Sequence, residues 1–217
     1  QPGLQPHLAG GPRRHQQHAA RPSSEPFAER RRDPAGCRID GVGLARDIVI
    51  NARVPVEGKR VLLLGAGGAA RGVILPLLAE APAELTIANR TVAKAEELVA
   101  QFKHPALKAS RFEDLSGAFD IVINATSASL SAELPPVPAS VFASTTFAYD
   151  MMYGAEPTPF MQQALGLNPN THVADGLGML VFQAAAAFEF WTGRKPNAAD
   201  TLERMRHTLQ LKKELAK

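Results

Sequence analysis

The residues best suited to chemistry in this chain lie in Gly65-Ala66-Gly67-Gly68-Ala69-Ala70. An apolar run at 61–64 leads into them and a helix-compatible run leads out. The spacing G-x-G-x-x-A is that of a dinucleotide-binding turn between a strand and a helix. Gly65 would permit the turn, Gly67 would let backbone approach a pyrophosphate, and Ala70 would let helix pack closely on strand. The N–H groups at the helix start and the positive end of its dipole would then face the phosphates. A glycine pattern by itself also fits a plain tight turn. The strand before it and the helix after it favour the nucleotide reading.

The second stretch is Asn89-Arg90-Thr91-Val92-Ala93-Lys94, at the end of the next apolar run. Sites that take NAD usually place Asp or Glu here to bond the ribose 2′-hydroxyl. This chain offers two cations and a hydroxyl instead, a set that can surround a 2′-phosphate, so the cofactor expected is NADP. Thr91 also suits a helix N-cap, which is compatible with that role. Three further places carry polar groups at the ends of apolar runs. Asn124 and Thr126 follow one, and whether they face a ligand or only terminate a strand is open at this level. Asp150, Met151 and Tyr153 follow another. Asp175 and Gly176 follow the third and open a helix in which Gln183 interrupts an apolar face and needs a partner, ligand or backbone. The six His show no metal-ligand spacing and no Ser/His/Asp arrangement stands out, which argues against metal and acyl-transfer chemistry. Cys37 is the single cysteine, so no intramolecular disulfide can form.

These stretches need a scaffold that brings the ends of several strands together. Apolar runs predict strands over 60–65, 85–89, 108–111, 121–125, 147–150 and 171–174, with helices over 69–79, 92–102 and 159–165 between them. Strands alternating with helices mark a parallel sheet covered on both faces. Another helix is expected over 40–52, and two more over 177–191 and 198–215, with Pro196 suiting the start of the last. The Ser- and Pro-rich segment 127–144 reads as loop. Pro76 should kink or loosen the first crossover helix. The fold class is therefore α/β, a doubly wound parallel sheet of Rossmann type with C-terminal helices and a disordered N-terminal leader. The expected divisions are a leader over 1–36, a linking helix and linker over 37–59, an NADP-binding domain over 60–175 and the C-terminal helices over 176–217.

Charge separates the leader from the rest. Residues 1–36 hold six Pro, four Gly and three of the six His without apolar periodicity, too little to offset the entropy of ordering. Their six Arg against Glu25, Glu29 and Asp33 account for the whole net charge of +3. The remainder is electrically balanced and shows no basic stripe, so the pI of 9.2 gives no reason to expect nucleic-acid binding. No apolar run approaches the length that spans a membrane and no signal peptide opens the chain, so a cytoplasmic location is expected. Deleting residues 1–36 should leave the melting temperature of the remainder nearly unchanged, and a large drop in a thermal scan would show that the leader packs against the fold.

Six segments in register resemble the shikimate dehydrogenases: GAGGAARG (65–72), NRTVAK (89–94), INATS (123–127), YDMMYG (149–154), TPF (158–160) and DGLGMLVFQAA (175–185). The resemblance runs from about Asp40 to the C-terminus. It implies reversible hydride transfer between NADPH and the ketone of 3-dehydroshikimate, on the route to chorismate and aromatic amino acids. By motif, Gly65, Ala66, Gly67, Gly68 and Ala69 would hold the pyrophosphate, and Asn89 to Lys94 the adenosine end with its 2′-phosphate. Relatives that prefer NAD would carry an acidic residue near position 90. Met151 and Gly176 would lie along the nicotinamide, and Tyr153 and Gln183 would contact shikimate. Asp40 matches the aspartate of the family's Asn-Thr-Asp-Gly motif, which binds a substrate hydroxyl and partners the catalytic lysine. The expected partner is this small-molecule substrate, with no nucleic acid and no membrane, and pairing into a homodimer is left open.

The departures from the family pattern are as informative. The family's N-terminal substrate domain carries a Ser-x-Ser pair and an Asn-x-Thr-x-Pro-x-Lys motif whose lysine serves in proton transfer. Neither stands ahead of Asp40 here, and Arg38-Ile39 replace Asn-Thr. An Arg/Pro/His-rich leader is what a GC-rich gene gives when read in a shifted frame, with the true frame resuming near Asp40. An intact in-frame leader in the upstream DNA, with no hidden substrate domain, would remove that explanation. Two rival readings follow: an NADP-binding fragment without catalysis, and a Rossmann dehydrogenase of another small hydroxy acid.

Overall fold

A computed structural model describes residues 38–126 and 134–215, the first three by backbone alone. The expected leader and residues 127–133 of the expected loop lie outside the described residues. The first helix, α1 (Arg38–Arg46), runs on as a π-helical turn, Asp47–Asn51. Next come β1 (Arg60–Leu64), α2 (Gly68–Ala79), β2 (Glu84–Ala88), α3 (Val92–Phe102), β3 (Leu107–Ser110) and β4 (Ile121–Asn124). A 3-10 turn at Ala139–Phe142 precedes β5 (Phe147–Asp150), α4 (Pro159–Leu167), β6 (His172–Asp175), α5 (Leu177–Thr192) and α6 (Ala198–Leu215).

The strands form one parallel sheet in the order β3-β2-β1-β4-β5-β6. Period-two alternation sends each strand's apolar side chains to two cores. Val61, Leu63, Leu85, Ile87, Ile121, Ile123 and Phe147 meet α1, α2 and α3 on one face. Leu62, Leu64, Val122 and Ala148 meet Phe112, Phe119, Phe142 and Phe160 on the other. Each fully buried Leu, Ile or Phe contributes roughly 1.5–3 kcal/mol, so these two layers hold the sheet together.

Several boundaries differ from the sequence reading, each for a local reason. Strand β1 stops at Leu64 because Gly65 takes φ +102, a left-handed value that ends extended backbone. Strand β2 begins at Glu84, one residue before its apolar run, and ends at Ala88. Strand β6 is displaced to 172–175, since Thr171 turns its hydroxyl onto the Thr145 carbonyl at 2.8 Å instead of joining the ladder. Within the expected loop, Val141 and Phe142 are buried and wind into the 3-10 turn. Thr158 caps α4 by accepting the Met161 N–H at 3.3 Å, with Pro159 in the first turn, an arrangement worth about 1 kcal/mol.

Helix α2 runs through Pro76. Proline has no N–H for the Gly72 carbonyl, and α1 crosses at that point. A Cβ on Gly41 would sit 2.4 Å from both the Gly72 oxygen and the Pro76 ring, and one on Gly43 would sit 2.5 Å from the Met179 oxygen and 2.9 Å from the Gln183 Cβ. Helix α1 is thus wedged between α2 and α5 by its two glycines, which is how the chain ahead of the sheet reaches the site.

Candidate functional site

Register brings the candidate residues to one edge. Leu64 pairs with Ala88 and Asn124, Asn124 with Asp150, and Asp150 with Asp175. The carboxyl ends of β2, β1, β4, β5 and β6 therefore lie level. The strand order reverses between β1 and β4, and the crevice outside this switch point is where doubly wound folds take ligands.

At the switch point Gly65 lies close to the end of β4. A Cβ there would be 3.2 Å from the Ala125 oxygen and from the Thr126 methyl. Its N–H donates to the Ala88 carbonyl at 2.7 Å, tying the turn to β2. Ala66 is half-buried, whereas Gly67, Gly68 and Ala69 are exposed, and a Cβ on Gly67 or Gly68 would meet no atom within 4 Å. Helix α2 begins at Gly68 with no side chain capping it, and the first N–H groups of a helix have no partner within it.

Beside it, the Asn89 N–H donates to Ser110 at 3.1 Å and its amide to the Thr91 carbonyl at 2.9 Å, fixing the turn from β2 into α3. Thr91 occupies the N-cap position, but its hydroxyl makes no capping bond. Arg90, Thr91, Ala93 and Lys94 are exposed and Val92 is half-buried. No carboxylate among the described residues pairs with Arg90 or Lys94.

Asn124 bonds to Thr126 and to the end of β5. Asn124 is fully buried, its amide donates to Asp150 Oδ1 at 3.1 Å, and its oxygen accepts from Thr126 N–H and hydroxyl at 3.1 and 2.7 Å. These bonds shape the ends of β4 and β5. Asp150 also receives the Met152 N–H at 3.1 Å, setting the turn that presents Met151 and Tyr153. Met151 is half-buried, and Tyr153 is 44% exposed at the rim. Gly176 lies directly on Met151, where a Cβ would be 2.1 Å from the Met151 oxygen, and its N–H donates to Met152 at 3.0 Å. Gln183 stands about two turns along α5 with its stem against Gly43. The backbone of Asp40 is in the first turn of α1, and its side chain lies outside the described structure.

The sequence reading missed a carboxylate pair under this edge. Asp47, 3% exposed, accepts from the Tyr149 hydroxyl at 2.7 Å and the Asn51 amide at 2.9 Å. Burial raises its pKa above the usual carboxylate value; the bonds from Tyr149, Asn51 and the Met179 backbone oppose the shift, and the Asp175 charge adds to it. Burial and the Asp47 charge push the Tyr149 phenol upward, so it stays a hydrogen-bond donor. Asp175 is held by Arg206 of α6 through two bonds, Nη2 to Oδ1 at 2.5 Å and Nη1 to Oδ2 at 2.7 Å. A cavity of about 280 Å³, lined in part by Asp47, Asn51, Asp175 and Arg206, lies here and not at the glycine turn. The only available signal was Asp47 itself, a carboxylate within an apolar helical run. Among the described residues no three His, Cys, Asp or Glu cluster as metal ligands, and no helix is long and apolar enough to cross a membrane.

Comparison with known proteins follows this geometry. The family model described as shikimate / quinate 5-dehydrogenase matches residues 46–132, and that of the shikimate 5'-dehydrogenase C-terminal domain matches 176–210, together more than half of the chain. The chain belongs to the shikimate dehydrogenase family. The shikimate dehydrogenase (NADP(+)) of Janthinobacterium sp. (strain Marseille) is 58% identical over 175 residues, covering 80% of this chain and 63% of that protein. An Ael1 enzyme from Pseudomonas putida shares the fold with TM-score 0.74 and 50% identity over 76% of this chain and 61% of that one. The shikimate 5-dehydrogenase of Thermus thermophilus, solved with NADP(H) and shikimate, gives TM-score 0.67 and 30% identity over 79% of this chain and 63% of that one. The chain thus spans under two thirds of the length of these family relatives.

Proposed function

We propose that this chain binds NADP at the carboxyl edge of β1 and β2 and serves the shikimate dehydrogenase reaction, the reversible reduction of 3-dehydroshikimate to shikimate. The observation that carries the reading is the turn from β2 into α3. Arg90 and Lys94 are exposed beside an uncapped Thr91 hydroxyl, and among the described residues no carboxylate engages either cation. The glycine turn fits the rest of the dinucleotide, since the open space over Gly67 and Gly68 leads to the bare N-terminus of α2.

In this assignment Gly65 to Ala69 hold the pyrophosphate and Asn89 to Lys94 hold the adenosine end. Met151 and Gly176, in contact with each other, flank the nicotinamide, whose bound cofactor supplies or takes up the hydride. Tyr153 and Gln183 orient the substrate, and Asp40 binds one of its hydroxyls. The Asn-x-Thr-x-Pro-x-Lys motif is missing from this sequence, so the 217-residue polypeptide by itself is proposed to bind NADP and to turn over shikimate poorly. Equilibrium titration with NADP+ and NAD+ tests the cofactor assignment. NADP+ should bind more tightly; equal affinities, or binding of neither, would overturn it.

A further inference from the structure

Helix α6 buries none of its residues, yet it places a guanidinium on one of the most enclosed carboxylates of the fold. The Arg206 side chain is 37% exposed, and that of Asp175 is 4% exposed. Such a helix gains little from packing, so what it holds in place is informative.

Asp175 bonds to the two segments that follow β5 and β6. Its Oδ2 accepts the Gly154 N–H at 3.4 Å and its Oδ1 accepts the Leu177 N–H at 3.2 Å. Arg206 grips both oxygens and also donates to the Gly154 carbonyl at 3.3 Å. Gly154 follows Tyr153, and Gly176 sits between Asp175 and Leu177 in contact with Met151. A second ion pair, Lys213 with Glu156, ties α6 to the same loop. Without Arg206 the buried Asp175 charge would stand unneutralised near buried Asp47, and both segments would lose their common anchor.

We infer that Arg206 is a positioning residue for the nicotinamide end of the dinucleotide, clamping the 151–154 and 175–177 segments through Asp175. This rests on the NADP reading above. Arg206 need not touch the ligand; it acts through the two segments that do. A planar two-pronged donor suits this site best, because a single ammonium nitrogen matches both Asp175 oxygens and the Gly154 carbonyl less well.

The test compares two ligands that share the adenosine 2′-phosphate end. NADP+ carries the nicotinamide half and adenosine 2′,5′-bisphosphate does not. In calorimetric titrations, Arg206→Ala should weaken NADP+ by about tenfold while adenosine 2′,5′-bisphosphate stays within about twofold of the unsubstituted chain. Arg206→Lys, which keeps the charge, should fall between the two for NADP+, and it carries the comparison if the alanine variant does not fold. Equal loss of both ligands would show a general structural role, and no loss of either would show no role; each overturns the inference. Failure of the unsubstituted chain to bind either ligand would overturn the NADP reading itself, and this inference with it.

Discussion

Replacing Arg90 with Ala should weaken NADP+ binding by about tenfold to a hundredfold, with NAD+ changing much less. The magnitude is that of a charge-assisted hydrogen bond, roughly 1.5–3 kcal/mol, with each 1.4 kcal/mol amounting to about tenfold. Arg90 is exposed, and the turn that carries it is held by Asn89, whose N–H and amide bond Ser110 and Thr91. Removing the guanidinium therefore leaves the local backbone supported and subtracts only its interaction with the 2′-phosphate. Lys94, one helical turn on, should show a smaller effect of the same sign, because an ammonium makes no two-pronged contact with phosphate. Both effects should shrink as ionic strength rises, since screening acts on exposed charges. Equal losses for NADP+ and NAD+ would show that Arg90 supports the turn and does not read the phosphate.

Most of this architecture is legible because it rests on local patterns that recur. The helix over 92–102 and the last helix over 198–215 coincide with α3 and α6, and each expected strand is present with ends shifted by at most one residue. The candidate site is legible for a topological reason. Once strands alternate with helices in a parallel sheet, residues following each strand must gather at one edge. Gly65, Asn89, Met151 and Gly176 are far apart in sequence, yet β1, β2, β5 and β6 end level.

What escapes the sequence is the set of side-chain partners that carry no local spacing. Asp47 meets Tyr149 across 102 residues and Asp175 meets Arg206 across 31, so no periodicity signals either bond. The surroundings of Pro76 escape the sequence for a related reason. Its effect on the helix depends on what covers the Gly72 carbonyl, and that cover is Gly41 of a helix placed only by tertiary packing. The bond from the Asn124 amide to Asp150 likewise spans 26 residues and carries no local spacing.

Shikimate oxidation by this 217-residue polypeptide alone is expected to be almost undetectable. Reduction of the ketone leaves a developing alkoxide that must take up a proton, and oxidation must remove it again. A positioned acid or base contributes about a hundredfold to ten-thousandfold to such a step. Asp40 is present, but the family's lysine motif is missing from the sequence. Four lysines among the described residues are placed or paired elsewhere. Lys59 precedes β1 and faces Asp120 at 3.9 Å, five residues and roughly 17 Å of strand from the glycine edge. Lys108 pairs with Glu84 and Lys213 with Glu156, while Lys94 stands at the adenosine end. The loss should exceed the proton-transfer contribution, because in this polypeptide Asp40, Tyr153 and Gln183 would orient the substrate without the family's Ser-x-Ser pair. Following NADPH absorbance with shikimate and NADP+ measures the outcome, and fusing a family substrate domain ahead of Asp40 should restore turnover. A rate near 10 per second, about the median for enzymes, from the polypeptide as it stands would show that another group moves the proton.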